Sequence, residues 1–143
     1  MAKLSFVTAS LLGVALIAVP MTARAQNNDI GKREFVNHCA VCHGTGGKGD
    51  GPLAGMLNEK VPDLTMLQKN NKGVFPFNHV FDVVDGRSMS KTHGTREMPV
   101  WGGVYNEQAP EWVGPYATAG DYRSFVRGRI LALIGYIDTL QAK

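Results

Sequence analysis

The chain has 143 residues, with 15 lysines and arginines against 12 acidic residues, and it contains two cysteines. This length is typical of one domain, so we expect a single core. The formal charge of +3 falls to +1 without residues 1–25, which contain Lys3 and Arg24, and so small a charge favours neither nucleic acid nor an anionic membrane as a partner. The function must therefore be sought in local motifs.

The N-terminus has the features of an export signal. Lys3 precedes an apolar run over residues 11–19, and a small-residue cleavage site ends at Ala25. These features predict a signal peptide over residues 1–25, a mature domain over residues 26–143 and a periplasmic location. The alternative is an uncleaved anchor, although so short an apolar run lies near the lower limit for a helix that spans a bilayer.

The first predicted helix runs from Ile30 to about His38 and leads into the motif Cys39-Ala40-Val41-Cys42-His43. On a helical turn, positions i, i+3 and i+4 share one face, so both thiols and the imidazole can meet one flat ligand. The thiols can add to the two vinyl groups of a haem while the imidazole reaches its iron. The motif therefore predicts one covalent haem c, attached through Cys39 and Cys42, with His43 as an axial iron ligand.

Other roles for the two cysteines are a disulfide, a redox-active thiol pair and a structural zinc site. A disulfide is compatible with an exported chain. A thioredoxin-like pair would need a strand–helix–strand setting, and residues 26–60 show no convincing pattern of that kind. Zinc would need two further ligands, and the sequence holds no second closely spaced pair.

Downstream of the motif, residues 44–61 contain six glycines and are expected to form a loop. Asp63 is expected to cap a helix that continues through Asn70 and stops near Gly73. A further apolar helix over residues 78–85 is expected to end at a glycine, Gly86.

Met98 lies in a stretch rich in glycine and proline that has no helical periodicity, and Pro99 follows it. A loop of this kind can bring a thioether to the second axial position of a haem iron. Met98 is therefore the predicted second ligand. The alternatives for that position are Met89, His93 or no protein ligand.

The C-terminal part of the chain combines a long irregular stretch with the longest predicted helix. Residues 103–120 are expected to form a loop, and its aromatic residues suggest a cover for one haem edge or part of a docking surface. The helix is expected to open at Asp121. Its apolar residues recur at helical spacing: Phe125, Val126, Ile130, Leu133, Ile134, Ile137 and Leu140. No strand pattern of useful length occurs, so the expected class is all-α.

Several of these segments together resemble the class I cytochromes c, over nearly all of residues 30–141. The resemblance implies about four helices with long glycine- and proline-rich loops around one haem. It also implies that the first and last helices cross, with a glycine allowing close approach, and that a methionine before proline is an iron ligand. The segments that carry it are Gly31-x-x-x-Phe35-x-x-x-Cys39, Gly47–Pro52, Pro62–Thr65, Met98–Gly102 and Leu133-x-x-Tyr136.

The resemblance implies further contacts around the haem. The carbonyl of Pro62 is the expected acceptor for the His43 ring nitrogen that faces away from iron. Trp101 and Arg87 are candidate donors to the haem propionates, against the alternatives of a core indole and a solvated surface cation. The other histidines, His38 and His79, are expected to be ordinary core or surface residues.

Two filled axial positions leave no place for a substrate at the iron, so we expect an electron-transfer protein and not an enzyme. The expected role is cycling of one haem between ferric and ferrous states in a respiratory or dehydrogenase-linked chain. Its partners would be redox proteins, and membrane contact would come only through a partner complex or an uncleaved signal segment. The alternatives are a haem subunit held in an oxidoreductase complex and a five-coordinate ligand-binding or peroxidase-like haem protein.

Overall fold

The computed structural model describes the backbone of residues 23–87 and 98–142, with side chains from Asp29 onward. These residues contain helices and turns and no strand, so the predicted all-α class is confirmed. The α-helices of this part of the chain are α1 (Ala23–Glu34), α2 (Ala40–His43), α3 (Leu67–Asn70), α4 (Phe77–Asp85), α5 (Trp101–Val113) and α6 (Ala119–Thr139).

The first predicted helix is confirmed, and it begins earlier than the sequence indicated. Helix α1 passes through a π-helical turn, Phe35–Cys39, and continues directly into α2. Turns of this type are rare and are often found at functional sites. Residues 1–22, which make up most of the predicted signal peptide, lie outside the described residues, so its cleavage stays a prediction.

Helices α1 and α6 cross, as the resemblance implied. Gly31 lies directly on the backbone of α6, where a Cβ atom would overlap the carbonyl oxygen of Ala132. The rings of Phe35 and Tyr136 pack over the crossing with their centroids 5.4 Å apart. The absence of a side chain at Gly31 therefore sets how closely the two helices approach.

We expect Gly31→Ala to lower the free energy of unfolding by about 2 kcal/mol or more, because the added methyl group forces the two helices apart. The control is Gly128→Ala in α6, where an added Cβ meets open space. That change should raise the stability by about 0.5–1 kcal/mol, since alanine is the better helix former. Urea unfolding of the haem-loaded variants measures both. A Gly31→Ala protein as stable as the control would show that the crossing tolerates a side chain.

The short central helices follow the predicted boundaries. The Asp63 carboxylate accepts a hydrogen bond from the Thr65 amide at 2.9 Å and caps a 3₁₀ turn, Leu64–Met66, that leads into α3. Helix α4 begins one residue earlier than expected and ends at Gly86, which has the left-handed φ of 85°. Glycine suits that position because it has no Cβ to clash.

The prediction of a loop over residues 103–120 was wrong, because α5 occupies most of this stretch. Two early glycines and Pro110 disfavour a helix locally, and the apolar pattern is weak. The helix nevertheless buries Trp101, Tyr105 and Ala109, which are spaced four residues apart and so share one face. The packing of that face against the neighbouring helices, chiefly α6, stabilises α5 by more than the glycines and Pro110 destabilise it.

Helix α6 starts two residues before the predicted position. Thr118 is its N-cap, and Asp121 stands at the third helical position of a capping box. The Thr118 amide donates to the Asp121 carboxylate at 2.8 Å, and the Asp121 amide donates back to the Thr118 hydroxyl at 3.3 Å. The hydrogen bonds from Thr118 lower the pKa of Asp121. An acidic residue before an apolar run can thus lie in the first turn of a helix as well as at its N-cap, which explains why the helix begins before Asp121.

The core lies where α1, α4, α5 and α6 meet. Its fully buried members include Phe35, Tyr105 and the predicted inner face of α6, formed by Ile130, Leu133, Ile134 and Ile137. Among the described helices, none combines the length and apolar character needed to cross a bilayer.

Candidate functional site

The attachment motif forms one compact helical turn. Cys39 and His43 each keep 7% of their surface exposed, and Cys42 is half-buried. The loop that follows folds back onto this turn, so that Gly49 and Gly51 donate their amides to the carbonyls of His43 and Cys42 at 2.8 and 3.1 Å. These bonds satisfy carbonyls that the end of a helix leaves without a partner. The glycine-rich loop therefore holds the motif in place.

The imidazole of His43 is oriented by a backbone contact. Its Nδ1 lies 3.3 Å from the carbonyl oxygen of Pro62, which is the contact that the resemblance implied. A carbonyl can only accept, so this contact assigns the proton to Nδ1. A ring held in this way presents Nε2 as its metal-binding nitrogen.

Two cavities meet at the motif. The attachment cavity lies against Cys42, Val61 and Trp101, and the apolar cavity is walled by α4 and α6 through residues that include Val80, Val84 and Leu133. Their open spaces, mouths included, are about 580 and 770 Å³. Four residues line both cavities: Cys39, His43, Pro62 and Met98.

Met98 and Trp101 both lie at these cavities. Met98 is partly buried against the core and borders both of them. Trp101, the first residue of α5, is 7% exposed and lines the attachment cavity. Met89 and His93, the alternative ligands, lie outside the described residues. The structure thus brings six of the predicted site residues together: Cys39, Cys42, His43, Pro62, Met98 and Trp101.

Arg87 is placed elsewhere. It lines neither cavity, and its side chain is 70% exposed. Its guanidinium pairs with the Asp85 carboxylate and lies 5.7 Å from the centroid of the Phe81 ring. The surface-cation alternative therefore describes Arg87 better than a propionate contact does.

Two histidines that sequence reasoning set aside also border the site. His38 lines the attachment cavity, and its ring packs on Trp101 with centroids 5.0 Å apart. His38 Nε2 also lies 3.6 Å from the Glu34 carboxylate. His79 lines the apolar cavity. The sequence did contain a signal for His38. It directly precedes Cys39, and a residue next to the attachment motif is expected to lie close to the same site.

The cysteine sulfurs are not joined to each other. Burial, with smaller contributions from the charges of Glu34 and Cys42, raises the pKa of the Cys39 thiol to about 12. Redox-active and metal-binding cysteines need the opposite shift, because the thiolate is their reactive form. Within residues 23–87 and 98–142, no three His, Cys, Asp or Glu side chains form a metal-binding group. The redox-pair and zinc alternatives therefore find no support in this region.

Comparison with known protein families gives a match. The family model described as cytochrome c matches residues 29–124, more than half of the chain. This chain belongs to the cytochrome c family. No curated protein and no solved structure matches this cytochrome c. Membership means that it carries covalent haem c and transfers electrons through that haem.

The cavities of this cytochrome c suit a haem. The apolar cavity presents aliphatic side chains from α4 and α6, which fit the apolar plate of the macrocycle. The cysteine sulfurs, an imidazole and a thioether lie along the same cavity walls, and these are the groups that attach haem and ligate its iron. The donor set and the apolar wall are thus both in place.

Proposed function

We propose that this cytochrome c carries single electrons between redox proteins in a respiratory or dehydrogenase-linked chain of the periplasm. The observation that carries the proposal is the position of His43 and Met98 on the walls of the same two cavities, beside the attachment cysteines. Such a pair fills both axial positions of an iron and raises its reduction potential.

Each residue of the site has a distinct role in this proposal. Cys39 and Cys42 would form the thioether links to a haem, His43 would hold its iron through Nε2, and Met98 would hold it through its sulfur. Pro62 fixes the His43 ring through the 3.3 Å contact, and Trp101 offers its indole N–H to a propionate. The haem itself supplies the one-electron change between ferric and ferrous iron. The protein supplies ligands, orientation and a water-poor environment.

The proposed ligands favour a carrier role. If His43 and Met98 both hold the iron, a substrate would have no open position at the metal, and catalysis there would be disfavoured. Export is part of the same proposal, since residues 1–25 have the pattern of a signal peptide.

The exposed end of α5 is a proposed contact for a redox partner. Trp112 is 62% exposed and Tyr116 is 97% exposed, and exposed aromatic residues are enriched at protein interfaces. No residue between 103 and 120 lines either haem cavity. A docking role therefore suits this stretch better than the idea that it covers a haem edge.

Reversible one-electron voltammetry together with carbon monoxide binding tests the carrier proposal. The haem-loaded protein should show one reversible wave, and the reduced protein should resist carbon monoxide at neutral pH because Met98 occupies the second axial position. Rapid carbon monoxide binding by the unmodified protein would instead indicate a five-coordinate haem and overturn the proposed ligand pair.

A further inference from the structure

A third cleft opens between α4, α5 and α6, on residues that neither haem cavity uses. Its lining includes Phe81 and Asp85 from α4, Arg87 just beyond that helix, and Arg123 and Arg127 from α6. The open space, mouth included, is about 820 Å³. Three arginine residues therefore line one opening.

Phe81 organises two of these cations. The guanidinium carbons of Arg87 and Arg127 lie 5.7 and 5.8 Å from the centroid of its ring. This distance is typical of a cation–π contact, which orients a guanidinium without using its N–H donors. Each guanidinium has five such donors and no acceptor. The cleft thus holds oriented donors that an anion can use.

Within residues 23–87 and 98–142, the charges that line the cleft are unbalanced. These residues contribute three arginines and one carboxylate, that of Asp85, and this carboxylate pairs with Arg87. Within the described part of the chain, Arg123 and Arg127 form no ion pair with a carboxylate. Cations held close together repel one another, and a bound anion would relieve that repulsion.

The floor of the cleft is formed by the first turn of α5. Gly103 faces open space, so no side chain fills the opening at that point. Gly102 packs on the end of α4, where a Cβ would lie 2.6 Å from the Asp85 carboxylate. This contact joins the end of α4 to the start of α5 beside the cleft.

We propose that this cleft binds a compact oxyanion with two or more negative charges, such as a phosphate, a sulfate or a small polycarboxylate. The planar guanidinium fork matches two oxygens of such a group at once, which makes arginine the preferred residue for these ligands. Arg123 and Arg127 are the main ligand-binding residues. Arg87 and the Asn106 amide, which lines the same cleft, complete the rim.

Calorimetric titration of the haem-loaded protein tests this proposal. Inorganic phosphate, sulfate and citrate are titrated separately at low ionic strength, with chloride used to match the ionic strength of every sample. At least one of the three should bind saturably with one-to-one stoichiometry. Tighter binding of phosphate or sulfate than of citrate would indicate a site for a tetrahedral oxyanion. Tightest binding of citrate would indicate a site for a small polycarboxylate. The titration measures the heat of anion binding and not electron transfer. A negative result would therefore not bear on the proposed role as an electron carrier.

Three variants locate the binding. Arg123→Gln and Arg127→Gln together should weaken binding by about ten-fold or more, since charge-assisted hydrogen bonds are lost. Arg127→Lys keeps the charge without the fork and should give a smaller loss. Arg33→Gln, an exposed arginine on α1, is the matched control and should change the affinity less than about two-fold. Absorption spectra identical to the parent protein establish that each variant is folded. Absence of saturable binding, or equal binding by the double variant and the control, would overturn the proposal.

Discussion

Replacing Arg129 by methionine is expected to lower the free energy of unfolding by about 3 kcal/mol. Arg129 pairs with the Glu34 carboxylate, whose side chain is 9% exposed, across the interface between α1 and α6. Removal of the guanidinium leaves a buried carboxylate without its arginine partner, and the His38 ring, 3.6 Å away, can compensate only in part. That charge also acts on Tyr105, whose pKa is raised chiefly by burial and then by Glu34.

Methionine is the chosen replacement because it keeps most of the packing of the arginine stem. The cation–π contacts of Arg129 with Trp112 and Phe125, at 4.9 and 5.1 Å, are lost as well. We expect these contacts to account for the smaller part of the effect, since exposed cation–π pairs contribute about 0.5–1 kcal/mol.

A double variant separates the unpaired charge from the loss of contacts. Glu34→Leu combined with Arg129→Met removes both charges and should recover most of the lost stability, because apolar residues replace a buried ion pair at little net cost. Arg33→Met, at an exposed site on α1, controls for the general loss of an arginine. Urea unfolding of the haem-loaded proteins gives the comparison. If the single and double variants were equally unstable, the unpaired carboxylate would not be the cause.

Met98→Ala is expected to have the largest effect on function. Loss of the thioether should abolish the sulfur–iron absorption band of the oxidised protein, open one axial position and allow the reduced protein to bind carbon monoxide. The reduction potential should fall by on the order of 0.1 V or more, because methionine ligation favours ferrous iron and axial ligands shift potentials over a range of about 0.8 V. Haem attachment should persist, since it depends on Cys39 and Cys42.

Met56→Ala is the matched control for this experiment. Met56 is 78% exposed and lines neither haem cavity, so its replacement should leave the spectrum and the potential unchanged. An intact sulfur–iron band in Met98→Ala would show that another residue ligates the iron, and Met89 or His93 would then become the candidates.

The predictable parts of this protein are those in which the chemistry is local. The spacing of Cys39, Cys42 and His43 needs one helical turn and nothing else, and the structure contains that turn. The cap at Asp63 and the glycine that ends α4 are equally local, because each depends on the hydrogen bonds or backbone angles of a few neighbouring residues.

Errors arose where distant packing decided the outcome. Helix α5 was predicted as a loop because its glycines and Pro110 oppose a helix, yet burial of Tyr105 against the neighbouring helices stabilises it. Arg87, a candidate for a propionate contact, pairs with its near neighbour Asp85, packs on Phe81 and lines another cleft. The packing of α5, in contrast, has no signal in the adjacent sequence.

The amino-acid sequence by itself determined the cofactor and its covalent attachment, because the motif carries both thiols and an imidazole within five residues. It also determined the helical class, through the apolar periodicity of α6. The tertiary structure alone decided which side chains meet around that cofactor. Met98, Pro62 and Trp101 are far from the motif in the chain, and only the tertiary fold brings Pro62 to His43 and places Met98 and Trp101 on a cavity that His43 also lines. The same folding places Arg87, Arg123 and Arg127 along one cleft that is separate from the two haem cavities, since contacts between distant segments depend on how the helices pack.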